Sequence, residues 1–218
     1  GTWFDTISPA PLPDRSEIGS AMATLLTAAK AQQTPGALPT AVTEDKAPRL
    51  VFLSMTNGRQ RAQPAIGAGK GLGAALLDAW GQLNARRPKK PIMLKLDIVD
   101  HVEAQVPVRN SMSLAKEPSL HGLAFAGKTG IAFLPEELYS LSLVDDEKLQ
   151  TIAIRDVMNK RGRSRGLGFL DRRFRVRQFT TRSYACNGEL LDLYRGHRMW
   201  SELKRNDVMA AARNAGNY

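Results

Sequence analysis

The sequence has one cysteine, three scattered histidines and no long apolar run, and each scarcity excludes a class of protein. The single thiol, Cys186, can form neither an intramolecular disulfide nor a multi-cysteine zinc site. No segment approaches the roughly 20 apolar residues that a membrane-spanning helix needs. The histidines, His101, His121 and His197, are not at metal-ligand spacings from one another or from the cysteine. We therefore predict no metal site, no cofactor and no transmembrane segment.

Acidic residues are also scarce, because 21 Asp and Glu stand against 31 Lys and Arg, a formal net charge of +10. Net charge informs us about partners and solubility rather than about fold. The anionic partners that would fit are nucleic acid, an acidic polysaccharide, a phospholipid surface or an acidic face of another domain. A genome that encodes basic proteins in general would explain the charge equally well.

The 218 residues suffice for one large domain or two small ones. Apolar residues at helical spacing predict a helix from about Ser16 to Gln33, whereas 34–48 is rich in Pro, Thr, Gly and Ala and suits a surface linker. We predict three parts: an N-terminal helix and linker at 1–47, an α+β domain at 48–198, and the start of a C-terminal helical domain at 199–218. The core is expected to begin after the linker, and the protein to continue beyond Tyr218.

Hairpin signals dominate the middle part. Asn57-Gly58 favours a tight turn after the apolar strand at 49–56, with a return strand through 59–66. Asn187-Gly188 predicts a second tight turn, which would place the Cys186 thiol at an exposed hairpin tip. Further strands are predicted at 91–106, 121–126, 130–134, 174–184 and 190–194, and helices at 72–86 and 145–159. The pattern predicts an α+β fold, with a mixed or antiparallel sheet of hairpins and flanking helices.

Glycines precede the helix at 72–86 in the segment Gly69-Lys70-Gly71-Leu72-Gly73-Ala74. This spacing fits the loose dinucleotide-binding pattern, but that pattern should follow the first strand of a βαβ unit, and here a hairpin precedes it. We interpret the run as a turn that leads into a helix. A phosphate or carboxylate at this helix N-terminus stays open.

Catalytic signatures are not visible, since serine-hydrolase elbows, paired carboxylates at readable spacing and cysteine-nucleophile motifs are absent from the sequence. The best catalytic candidates are Asp100, His101 and Glu103, which place two acids and an imidazole at the end of a strand. An ordinary surface or core role is the favoured interpretation of each histidine.

The clearest local charge feature is the basic, glycine-rich segment at 160–168, which we expect to be a mobile loop, with the arginines that follow it. Cations spaced by glycines can follow an anionic backbone, and nearby phenylalanines could stack on bases, although they also alternate as strand core residues do. The predicted binding residues on this basic surface are Arg61, Lys70, Arg163, Arg165, Arg172 and Arg175.

Several segments resemble the AMMECR family. The stretch 50–61, Leu-Val-Phe-Leu-Ser-Met-Thr-Asn-Gly-Arg-Gln-Arg, is similar to the opening of that domain when the Gly-rich turn and the helix at 72–80 follow it. The strand at 93–99 and the segments 120–125 and 133–137 are similar to its closing pattern, so the resemblance covers about 48–195. The family's Arg-Gly-Cys-Ile-Gly hallmark is replaced by Arg61-Ala-Gln-Pro-Ala-Ile66-Gly67, which lacks the cysteine. The resemblance implies an AMMECR-like fold rather than a reaction.

The segment 207–218 resembles the first helix of an α/α-toroid, the fold of six-hairpin glycosidases. That resemblance implies a downstream toroid domain as a partner and favours a periplasmic or secreted location, with the cytoplasm left open. We accordingly predict a noncatalytic accessory module of a larger, carbohydrate-active protein, whose basic surface contacts an anionic polysaccharide or the neighbouring domain. The alternatives are a nucleic-acid-binding basic domain and an enzyme of unknown reaction.

Overall fold

The computed structural model describes residues 7, 10–60, 64–104, 106–107, 122–126, 130–135 and 175–193. The predicted helix at 145–159, the basic loop at 160–168 and the segment 199–218 lie outside these residues. The helices are α1 (Arg15–Ala31), α2 (Thr40–Thr43) and α3 (Leu72–Asn84). The strands are β1 (Pro48–Thr56), β2 (Ala65–Lys70), β3 (Met93–Val102), β4 (Val106–Pro107), β5 (Gly122–Ala126), β6 (Gly130–Phe133), β7 (Arg175–Cys186) and β8 (Leu190–Leu193).

The strands form one sheet in the order β2-β1-β3-β7-β5-β6, and β4 and β8 also pair with β7. Every pairing among the described strands is antiparallel. The predicted α+β fold is therefore confirmed, and its sheet is antiparallel. Within the described residues, no helix has the length and apolar character needed to cross a membrane.

One face of the sheet packs against α1 and α3. Leu94, Leu96 and Ile98 alternate along β3 and are fully buried in the same cluster as Met22 of α1 and Leu76 of α3. A strand places every second side chain on one face, so this spacing directs all three leucine and isoleucine side chains toward the helices. The largest apolar cluster of the described residues lies in this layer.

The segment 34–48 takes part in this core, which corrects its interpretation as a surface linker. Leu38 is 9% exposed, and Val42 of α2 is fully buried in the cluster that contains α1 and β1. The core thus begins before β1 rather than after the linker, because two apolar side chains of an otherwise polar segment reach it. The division at 47/48 and 198/199 stays a prediction.

The other face carries a second apolar cluster, in which Phe52 of β1 stacks on Phe179 of β7 with ring centroids 5.7 Å apart and nearly parallel planes. Val99 of β3 and Leu134, just after β6, belong to the same cluster. Apolar side chains therefore lie on both faces of the central strands. The strand β3 is buried on both sides from Met93 to Val99.

The turn after β1 forms at Asn57-Gly58 as predicted, but the return strand was misplaced. The Asn57 side-chain oxygen accepts hydrogen bonds from the backbone N–H groups of Arg59 (3.0 Å) and Gln60 (2.8 Å). These bonds hold Arg59 and Gln60 in the turn, and the return strand β2 begins only at Ala65. The expected strand at 59–66 is corrected to Ala65–Lys70.

Gly69 of the glycine run, and Gly67 just before the run, lie in β2 and not in a turn before the helix. A Cβ atom on Gly67 would lie 2.1 Å from the backbone oxygen of Ala75 and 2.6 Å from the backbone nitrogen of Ala79. The missing side chain therefore lets α3 approach the strand closely. This packing accounts for Gly67 without any ligand.

The turn at Asn187-Gly188 joins β7 to β8 as predicted, but Cys186 is not exposed at its tip. Cys186 is 1% exposed and pairs with Leu94 of β3, and its side chain belongs to the cluster below the helices. The thiol is buried because β3 pairs with β7 as far as Cys186, a long-range contact that the local sequence does not reveal. Burial raises the pKa of the Cys186 thiol above its ordinary value, despite a backbone hydrogen bond from Gly188 and the charge of Lys30.

Candidate functional site

Two loops at one end of the sheet carry exposed cations. Arg59 lies in the β1–β2 turn, and Arg86, Lys89 and Lys90 lie in the loop between α3 and β3. All four residues are exposed. We call this group, Arg59, Arg86, Lys89 and Lys90, the basic end.

Hydrogen bonds join the two loops of the basic end. The Asn57 side-chain amide donates to the Lys89 carbonyl oxygen at 2.8 Å, and the Ile92 backbone N–H donates to the Thr56 carbonyl oxygen at 2.9 Å. Asn57 thus bonds to its own turn through its oxygen and to the other loop through its nitrogen. The cations of both loops are therefore held close to the same strand ends.

The α3–β3 loop has a defined local conformation. The Arg87 guanidinium donates hydrogen bonds to the backbone oxygen (3.1 Å) and the side-chain oxygen (2.9 Å) of Asn84. Arg87 thereby supplies donors and a positive charge at the C-terminal end of α3. Lys90 adopts a positive φ of 50°, which is uncommon for a residue with a side chain. Arg87 thus serves the helix end, while the other cations of the loop face solvent.

The predicted binding residues divide across the molecule. Lys70 is exposed but pairs with Pro48 at the start of β1, whereas the basic end follows Thr56 at its other end. Eight residue steps of strand separate these ends by roughly 26 Å, so Lys70 does not belong to the basic end. Arg175 begins β7, opposite Pro107 and Ala126. The remaining predicted residues, Arg61, Arg163, Arg165 and Arg172, lie outside the described residues.

The catalytic candidates lie at the end of β3, where a register shift falls between Val99 and His101. The His101 Nε2 and Glu103 Oε1 atoms are 3.2 Å apart, and both side chains are more than half exposed. Asp100 instead accepts a hydrogen bond from the Thr180 hydroxyl at 2.5 Å. The described part of the chain contains no group of three or more His, Cys, Asp or Glu positioned to hold a metal ion.

A buried polar row, which was not predicted from the sequence, crosses the sheet on the face opposite α1 and α3. Lys95 and Asp97 are both 0% exposed and form an ion pair. The Ser183 hydroxyl donates to the other oxygen of Asp97 at 2.5 Å, and the Thr181 and Ser183 hydroxyl oxygens are 3.2 Å apart. We call Ser54, Lys95, Asp97, Thr181 and Ser183 the polar row.

Ser54 completes the polar row on β1, directly opposite Lys95 in the strand register. Its hydroxyl is buried and has no hydrogen-bond partner among the described residues. Unsatisfied buried polar groups are uncommon, and ion pairs without access to water stabilise a fold poorly compared with apolar side chains. Lys95 and Asp97 alternate with buried leucines, a pattern that normally indicates a solvent-facing side of a strand. The sequence therefore carried no signal for their burial.

The N-terminus of α3, beside the glycine run, is capped from within the chain. The Leu72 backbone N–H donates to Asp45 Oδ2 at 2.8 Å, and Arg49 Nε donates to the same oxygen at 2.9 Å. Burial raises the pKa of the Asp45 carboxyl, but hydrogen bonds from Arg49 and Leu72 and the charge of Arg49 outweigh it, so the net pKa is below the ordinary value. This carboxylate occupies the place where a phosphate would bind.

Arg49 is buried and satisfied by the N-terminal segment as well. Its guanidinium donates to the carbonyl oxygens of Ala10 (2.8 Å) and Pro11 (2.7 Å). The cation thus fixes the segment before α1 against β1. Its role is structural.

Comparison with known proteins bears on the fold alone. No family model matches the chain, and no curated protein matches it. A solved structure of an uncharacterized protein from Pyrococcus horikoshii is similar, with a TM-score of 0.51. It is 13% identical, and the match covers 81% of this chain and 95% of that one. The similarity supports the α+β architecture.

Compared with the polar row and the Asp45–Arg49 pair, the basic end has charged groups that are accessible to a partner. None of its four cations forms an ion pair with a carboxylate of the described residues. The polar row is buried, and the Asp45–Arg49 pair is satisfied internally. The arrangement can bind an anionic surface through charge-assisted hydrogen bonds.

Proposed function

We propose that this chain is a noncatalytic accessory module that binds a linear anionic polymer, of which an anionic polysaccharide is the first choice, through its basic end. The observation that carries the proposal is the joining of Arg59, Lys89 and Lys90 by the Asn57 side chain into one exposed basic surface. The excess of cations over the whole chain, +10, would add long-range attraction for such a polymer.

We propose further that the module is related to the AMMECR family and serves a downstream helical domain of the same protein. The sequence similarities at 48–195 and 207–218 support these two proposals. The α+β architecture is compatible with the first of them. A periplasmic or secreted location would suit a polysaccharide partner.

The proposal is tested by measuring binding to heparin, polygalacturonate, neutral dextran and duplex DNA at low and high salt. The basic-end variant carries Arg59→Gln, Lys89→Gln and Lys90→Asn, with Asn chosen because it tolerates the positive φ at position 90. The control variant carries Lys46→Gln, Lys70→Gln and Arg182→Gln, which removes three exposed cations elsewhere. Because both variants lose the same net charge, any difference between them reports on location.

We expect the wild type and the control variant to bind the two anionic polysaccharides at low salt, and the basic-end variant to lose at least tenfold in affinity. Equal losses in both variants would show that only net charge matters. The absence of binding to any polymer by the wild type would contradict the proposed function itself.

A further inference from the structure

The basic end is organised by one side chain. The Asn57 amide oxygen holds the turn that carries Arg59, and the amide nitrogen holds the loop that carries Lys89 and Lys90. Binding is strengthened when the charged groups of a site are held in place before the partner arrives, since less conformational entropy is lost. Asn57 is thus placed to act as a positioning residue for the cations without contacting the polymer itself.

Exposed aromatic rings are absent among the side chains that the structure describes. Phe52, Trp80, Phe133, Phe179 and Tyr184 are all buried. Proteins that bind single-stranded nucleic acid stack bases on exposed aromatic rings. The described surface offers charge but no stacking platform.

The C-terminal end of α3 lies beside the basic end, because the helix ends at Asn84 and Arg86 follows two residues later. Nucleic-acid-binding proteins place the positive N-termini of helices against phosphates, whereas a C-terminus carries the negative end of the helix dipole. This orientation weakens the attraction for a dense phosphate backbone. Among the described residues the basic end thus offers side-chain cations and no helix N-terminus, which favours carboxylate or sulfate groups on a polysaccharide over a phosphate backbone.

We propose that the basic end recognises a carboxylated or sulfated polysaccharide by charge alone, through Arg59, Arg86, Lys89 and Lys90, and that Asn57 positions these cations. This inference rests on the proposed function and specifies its partner and its means of recognition. Each cation that contacts the polymer displaces a counterion from it. The number of contacts therefore appears in the salt dependence of binding.

The test is the slope of the logarithm of the association constant against the logarithm of the salt concentration, measured with heparin and polygalacturonate. Contacts with duplex DNA each contribute roughly 0.9 to this slope. Four contacts with a less dense polymer should give a slope of about −2 to −4, and Lys89→Gln should make it shallower by about 0.5 to 1. Asn57→Ala should weaken binding severalfold while leaving the slope unchanged, because it disturbs positions and removes no charge.

Asn187→Ala is the matched control for Asn57→Ala. The Asn187 side-chain oxygen accepts a hydrogen bond from the Glu189 backbone N–H at 3.0 Å in a second Asn-Gly turn. Among the described residues, Asn187 has no hydrogen bond to the Lys89 loop, unlike Asn57. We expect the control to bind as the wild type does, and thermal unfolding will show that both variants remain folded. Equal effects of the two variants on affinity would overturn the positioning role.

The same titrations separate failure of the inference from failure of the proposed function. If no anionic polymer binds, the proposed function fails. If duplex DNA binds more tightly than heparin at equal salt, the partner class is wrong while anion binding stands. If polysaccharide binding is insensitive to salt, recognition by charge alone is wrong.

Discussion

Removal of the Lys95 charge is expected to cost the fold a large part of its stability. Lys95 and Asp97 are 0% exposed, so Lys95→Met leaves a buried carboxylate without its cation. The remaining hydrogen bond from Ser183 at 2.5 Å compensates only partly. Breaking a buried ion pair from one side costs about 3 to 5 kcal/mol, compared with a total stability of about 5 to 15 kcal/mol for a typical domain.

Replacing Lys95, Asp97 and Ser183 together with apolar side chains should reverse the loss of stability. The variant Lys95→Met, Asp97→Leu, Ser183→Ala removes the buried ion pair and the hydroxyl that donates to Asp97. The Ser54 and Thr181 hydroxyls of the polar row remain. Such replacements of buried ionic groups are often neutral or stabilising by about 1 to 4 kcal/mol. We therefore expect this triple variant to match or exceed the wild type, although it differs at more positions than the single variant.

Urea denaturation followed by circular dichroism measures the free energies of unfolding of the wild type, both variants and Lys70→Met. Lys70 is an exposed strand lysine, so its replacement should change stability by no more than about 0.5 kcal/mol. A loss below about 1 kcal/mol for Lys95→Met, the size expected of a surface pair, would refute the buried ion pair. A triple variant less stable than the single one would refute the account of its cost.

Three further predictions concern residues that the sequence interpretation placed wrongly or left open. Gly67→Ala should destabilise the fold by about 1 to 3 kcal/mol or more in urea denaturation, because the new Cβ would meet the Ala75 backbone. The control Gly81→Ala, whose new Cβ would have nothing within 4 Å, should stabilise α3 by about 0.5 to 1 kcal/mol. Equal effects of the two substitutions would contradict the close packing of α3 on β2. The lowered pKa of Asp45 means that its stabilising contribution is present above the unfolded-state pKa of about 3.9 and is lost as the pH falls through the lower folded-state pKa. In acid titrations the stability of the wild type should therefore fall more steeply than that of Asp45→Asn. Parallel curves would contradict the Asp45–Arg49 pairing. The buried Cys186 thiol, with its raised pKa, should react with Ellman's reagent only after unfolding in urea, and fast reaction of the native protein at neutral pH would contradict its burial.

Local patterns were sufficient for much of the fold. The helical spacing of Ile18, Met22 and Leu25 predicted α1, and Asn57-Gly58 predicted the first hairpin turn, because both depend on neighbours within a few residues. The hairpin signals predicted a mixed or antiparallel sheet, and all pairings among the described strands are antiparallel. These features required no knowledge of distant contacts.

Long-range contacts account for what the sequence did not reveal. Lys95 and Asp97 alternate with leucines as in a half-exposed strand, yet both faces of β3 are covered. Gly67 and Gly69 are typical of a turn in the local sequence, but they lie in β2 and allow α3 to pack closely on that strand. The basic end was divided between a turn and a helix end in the sequence, and the pairing of Thr56 with Met93 brings the two together.

Protection of lysines against acetylation tests the basic end most directly. The wild type is acetylated briefly with and without saturating heparin, and the modification of each lysine is measured by mass spectrometry. The account predicts that heparin protects Lys89 and Lys90 and leaves Lys46 and Lys70, which are also exposed, modified at the same rate as before. Bound heparin that protects Lys46 and Lys70 while leaving Lys89 and Lys90 reactive would contradict it.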